Sequence, residues 1–163
     1  MASKKPRNKK YHPKRVVTGP KFLNNLPMPD DRISELVSAT KNRLVSMRLS
    51  ERHQNDITSV AMFFGICWLL AEKMKEEKPL QDTISRGILL LTREWKMSGP
   101  LGAEAYTAAM EVTDLLPQIL KAVSVQEYLD ASALIRDSGT LDQIDGHLNK
   151  AAERLEQAEN NAA

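Results

Sequence analysis

Apolar positions recur three and four residues apart along most of this chain, which is the period of an amphipathic helix. From Asp30 the residues Ile33, Leu36, Val37, Leu44 and Met47 share one face, with Thr40 set among them. The Thr40 methyl can pack there, while its hydroxyl weakens that turn of the stripe. Asp30 or Asp31 is the expected cap of this first helix. Ser50 is the expected cap of a second, running to about Glu77, polar in its first half and apolar nearly all round in its second. A helix apolar on every side belongs in the middle of a fold.

Pro79 suits the first turn of a third helix, whose stripe is Leu80, Ile84, Ile88, Leu91 and Trp95. Gly99 and Pro100 stop it. A fourth helix over about 101–123 turns Val112, Leu116, Ile119 and Val123 inward. Pro117 lies inside it and predicts a kink or a break, since proline cannot donate to Thr113 and crowds it. Ser124 with Glu127 forms a capping box for a fifth helix ending at Gly139. Thr140 with Gln143 forms another for a sixth, with Leu141, Ile144, Leu148, Ala151, Leu155 and Ala158 on its stripe. No segment alternates with period two, and no fixed repeat emerges. The fold class predicted is all-α, a bundle of about six helices over residues 30–160.

Residues 1–29 carry no hydrophobic period. Prolines at 6, 13, 20, 27 and 29 break helix and sheet alike. This stretch reads as a disordered, basic N-terminal arm, with Phe22, Leu23, Leu26 and Met28 placed to fold its last part onto the body.

Charge sharpens that division. The first 21 residues hold eight Lys or Arg and no Asp or Glu. The other 15 Lys/Arg face 21 Asp/Glu, so a net charge of +2 conceals a body at −6. Such asymmetry calls for an anionic partner for the arm. Composition is otherwise globular, at 42% hydrophobic and 27% charged. No secretory signal is expected, because prolines follow the basic start in place of an apolar run. The longest apolar stretch, Val60 to Ala71, is too short to span a membrane, which takes about 20 residues. The single cysteine, Cys67, excludes an internal disulfide and fits a cytoplasmic home.

Signatures of catalysis are weak. His12, His53 and His147 show no i, i+4 pairing, and Ser50 and Ile144 occupy the positions where a helical-bundle metal motif needs an acid. His53 and Asp56 read as a polar first turn. Cys67 lies mid-helix among Phe64, Ile66, Trp68 and Leu69 with no cation beside it, which predicts a buried, inert thiol. There is no nucleophile elbow and no phosphate-cradling loop; the stretch SGPLGAEA opens a helix without a preceding strand. Trp68 and Trp95 are read as core residues with one polar edge near the surface, with anchors of a partner interface as the alternative. The acidic stretch 137–147 lacks the calcium-loop pattern and reads as a capped turn. No catalytic residue, metal site or cofactor is expected.

The arm is the candidate site. Lys4, Lys5, Arg7, Lys9, Lys10, Tyr11, Lys14, Arg15 and Lys21 are the residues predicted to contact DNA or RNA. An extended cationic chain can follow phosphates, and an aromatic ring can stack on an exposed base. The alternatives are a solubilising tail, an import signal and attachment to an anionic membrane surface.

The run KKYHPKRVV, with Tyr11, Pro13, Lys14 and Val16, resembles the N-termini of small uncharacterised proteins encoded by phages and prophages of Gram-negative bacteria. The similarity extends to the apolar helix that ends in Leu70, Ala71 and Glu72. It implies a mobile-element protein of the bacterial cytoplasm and carries over no catalytic residue. The expected function is a non-enzymatic accessory protein that contacts nucleic acid with little sequence selectivity. A helical protein-interaction module engaging a host or phage protein is the alternative, and a small helical enzyme with a scattered site a further rival. Oligomerisation is left open.

Overall fold

The computed structural model describes residues 26–50, 53–74 and 77–137. Five helices form there: α1 (Asp30–Leu49), α2 (Gln54–Ala71), α3 (Glu77–Arg93), α4 (Ala103–Lys121) and α5 (Val125–Asp137). No strand accompanies them among the described residues, only an isolated antiparallel bridge between Pro27 and Ser124. The all-α expectation holds, with five helices in place of about six. The expected sixth helix lies outside the described residues.

Side-chain pairs fix the helix directions. Lys121 meets Asp30 at 3.4 Å and Lys41 meets Asp114 at 2.9 Å, so α1 and α4 run antiparallel. The same register brings the Leu101 amide to the Met47 carbonyl at 2.7 Å. Trp68 donates its indole N–H to Ser85 Oγ at 3.1 Å, and Gln81 reaches the Trp68 carbonyl, so the C-terminal half of α2 lies against the first half of α3. Helix α2 packs against all four others, and α4 packs against α1, α2 and α3. The central place expected for the apolar helix is therefore the one it takes.

The core follows the predicted stripes. Ile33, Leu44 and Met47 of α1 are buried, as are Leu80, Ile84, Ile88 and Leu91 of α3. Val112, Leu116, Ile119 and Val123 are buried on and after α4, against Phe64, Cys67 and Leu70 of α2. Thr40 is buried among the α1 apolar residues, and its hydroxyl donates to the Leu36 carbonyl at 2.8 Å, which leaves its methyl for packing.

Four expectations about helix ends are corrected. Ser50 does not start α2. It closes α1, with both its amide and its hydroxyl donating to the Ser46 carbonyl, and α2 begins four residues later behind His53. Neither Asp30 nor Asp31 caps α1. Pro29 holds that position in extended conformation, while the two aspartates occupy the first turn and favour the positive end of the helix dipole. Helix α2 ends at Ala71, short of Glu77. Around Pro117 the chain remains one helix, so no break occurs. Neighbours packed along α4 hold it together despite the missing N–H. Helix α3 ends at Arg93, six residues before the expected stop at Gly99, which instead turns the connection to α4 with φ at +88°.

Helices α3 and α4 pack closely at Gly87. A Cβ there would stand 2.6 Å from Val112 Cγ2 and 3.5 Å from the Ala108 carbonyl oxygen. Val112 is fully buried and β-branched, so it has little freedom to move aside. Alanine at position 87 gains about 1 kcal/mol of helix propensity. The clash costs about 1–3 kcal/mol by overpacking. Gly87→Ala is thus predicted to lower the melting temperature, and Val112→Ala in the same chain to relieve the clash. An unchanged or raised melting temperature for Gly87→Ala alone contradicts this packing.

Candidate functional site

All nine predicted nucleic-acid contacts, Lys4 to Lys21, lie outside the described residues. What the structure shows is where the arm joins the body. The Leu26 carbonyl accepts from the Val125 amide at 2.9 Å, Pro27 bridges to Ser124, and Met28 is 7% exposed within the core. Of the residues expected to fold the arm back, Met28 does so, Leu26 stays 41% exposed, and Phe22 and Leu23 fall outside the described residues. The root of the arm is clamped between the N-termini of α1 and α5.

That clamp depends on the predicted capping box. The Glu127 carboxylate accepts from the Ser124 amide at 2.8 Å and from its hydroxyl at 3.0 Å, while Ser124 Oγ accepts from the Glu127 amide at 3.2 Å. Lys73, just past α2, donates to the other Glu127 oxygen at 2.7 Å. The Lys73 contact and the Ser124 amide together hold the Glu127 carboxyl down to about 2, from an ordinary value near 4.5. The second expected box, Thr140 with Gln143, lies outside the described residues.

The described body offers limited chemistry. Cys67 has no exposed surface, and burial pushes its thiol well above the ordinary range, so the thiolate required of a nucleophile is suppressed. Among the described residues no three of His, Cys, Asp and Glu converge to hold a metal ion. His53 is exposed at the start of α2, with Asp56 half-buried a turn later. Trp68 and Trp95 are half-buried against the core. Trp68 directs its N–H to Ser85, whereas the Trp95 indole N–H is buried without a partner, a departure from the expected surface edge.

An open groove of about 310 Å³ lies between α1 and α4, lined by Ile33, Ser34, Val37, Pro117, Asp30 and Lys121 among others. Asp30 and Lys121 face each other across it at 3.4 Å, which leaves little charge unpaired for a ligand. No helix among the described residues is long and apolar enough to cross a membrane. Compared with known proteins, the chain matches no family model, no curated protein and no solved structure.

The Glu127 interactions give a pH-dependent expectation. A carboxyl whose folded value is depressed stabilises above its unfolded value and loses that contribution as pH falls. The side chain is 36% exposed, so solvent screening limits the ion pair, and the cap as a whole contributes about 1 kcal/mol. Glu127→Gln is predicted to lower the melting temperature at pH 7, with the gap to the parent narrowing from pH 4.5 to pH 2. Equal gaps at pH 7 and pH 2 contradict the assignment.

Proposed function

We propose that this chain is a non-enzymatic accessory protein whose basic N-terminal arm contacts DNA or RNA through phosphate charge, with little sequence selectivity. The observation that carries the reading is the charge partition: eight cationic residues and no acid in the first 21 positions, against a body of opposite sign. A mobile-element setting in a bacterial cytoplasm accompanies the proposal, on the resemblance of the run around Tyr11 to phage-encoded N-termini.

The way the arm is rooted favours it. Fixing the chain at Leu26 and Met28 tethers the cationic stretch to a folded body within about 25 residues of any bound phosphate. The acidic body repels nucleic acid, so the arm alone supplies attraction. Lys4, Lys5, Arg7, Lys9, Lys10, Lys14, Arg15 and Lys21 then neutralise phosphates, and Tyr11 stacks on an unpaired base.

A second reading, a protein-interaction module, draws on one feature of the body. Leu49 at 79% and Met97 at 59% exposure both stand near the end of the bundle where Met47 meets Leu101. Capture of a partner that survives nuclease treatment and is lost in a Leu49→Asp, Met97→Asp variant distinguishes this reading from the first.

Salt dependence tests the leading proposal. Six engaged charges predict a log–log slope of affinity against salt of about −4 on single strands and about −5 on duplex. Deleting residues 2–21 abolishes binding and leaves the melting temperature nearly unchanged, since the Leu26 and Met28 contacts remain. Tyr11→Ala weakens single-strand binding by about 1–3 kcal/mol and barely alters duplex binding. Undiminished binding by the truncated chain, or no binding by the full chain at low salt, refutes the proposal.

A further inference from the structure

The packing of α3 on α4 sets four charges on one outer face. Gly87 stands against Val112 and Ala108, and further along α3 the Glu94 carboxylate accepts from the Gly102 amide at 2.7 Å, so the two helices run antiparallel. Arg86 comes one residue before Gly87, and Glu111 one before Val112. One residue is a turn of about 100° around a helix axis. Because the axes are opposed, both steps lead to the same side of the helix pair, away from the buried Ile84, Leu91, Ala109 and Leu116. Arg93 and Glu104 lie seven residues from Arg86 and Glu111, on the same two lines. All four charged side chains are exposed, and none pairs with a described residue.

A basic column on α3 therefore stands beside an acidic column on α4. The charges are about 10.5 Å apart along each helix, and the columns about 8–10 Å apart. Their levels match, with Arg86 level with Glu111 and Arg93 level with Glu104. A two-fold axis parallel to the helices keeps each level and exchanges the columns. It lays the basic column of one copy on the acidic column of another, and repeats the contact symmetrically. Asp82, the one acid on the α3 line, then falls at the level of Leu115 and Gln118, which carry no charge. A nucleic-acid strand suits this face poorly, since its closely spaced phosphates would run beside Glu104 and Glu111.

We propose that this chain forms a two-fold dimer through the outer face of α3 and α4, with Arg86 against Glu111 of the partner subunit and Arg93 against Glu104 of the partner subunit. This proposal is independent of what the arm contacts. Sedimentation of the full chain is the test. The parent is expected to be a dimer at low ionic strength and to shift to monomer as salt rises, because pairs near the surface are screened. Arg86→Glu with Arg93→Glu, and separately Glu104→Arg with Glu111→Arg, are each expected to be monomeric where the parent is dimeric. Both are expected to keep the parent's helix content by circular dichroism, since the four positions are exposed. An equimolar mixture of the two reversed chains is expected to restore the dimer, because each altered column then meets its complement. A parent that stays monomeric up to about 1 mM at low salt, a dimer that survives Arg86→Glu with Arg93→Glu, or a mixture that stays monomeric overturns the proposal. A surviving dimer that is lost on deleting residues 2–21 assigns the association to the arm instead.

Discussion

Burial of the second helix governs this structure. Phe64, Cys67, Leu70 and Ala71 of α2 are at or near zero exposure, and the helix touches every other helix of the described bundle. Full burial of a side chain such as Phe64 or Leu70 contributes about 1.5–3 kcal/mol. Helix α4 lies second, with α1 and α3 ranged beside it, and α5 is held chiefly by α2. The surface ion pairs that mark the register, such as Lys41–Asp114, add little energy by comparison.

The same constraint explains what the body does not offer. A helix that must be covered on several sides leaves its one nucleophile, Cys67, deep in the core with its thiol held protonated. Some of the body's charges pair across helices, as Asp30 and Lys121 do. Unbalanced positive charge is concentrated instead in the first 21 residues, and the chain that follows them is fixed at Leu26 to Met28 by one backbone bridge and one buried methionine.

Much of this was legible in the sequence because helical period reports directly on which side of a helix is buried. The stripes from Ile33 to Met47, from Leu80 to Leu91 and from Val112 to Val123 are core in the structure. The Ser124–Glu127 box was readable because both partners lie within four residues. Helix ends were less legible. Ser50 has a hydroxyl that serves the end of one helix as well as the start of the next, and only the Ser46 contact decides between them. Pro117 predicted a kink or a break, and α4, packed on several sides, runs through it without a break. Gly87 carried no local signal at all, since its role comes from Val112, a residue 25 positions away. The nine arm residues were chosen on charge and aromatic content, which are properties of composition, and they lie outside the described residues.

Native-state hydrogen exchange measures the central claim most directly, because it ranks each helix by the free energy of the opening that exposes its amides. If α2 organises the bundle, the amides of Phe64 and Leu70 exchange only through global unfolding, together with those of Val112 and Leu116 on α4. Amides of α5, such as Ser132, then exchange through a smaller opening. Exchange of Phe64 and Leu70 through an opening smaller than those that release α1 and α5 contradicts the account.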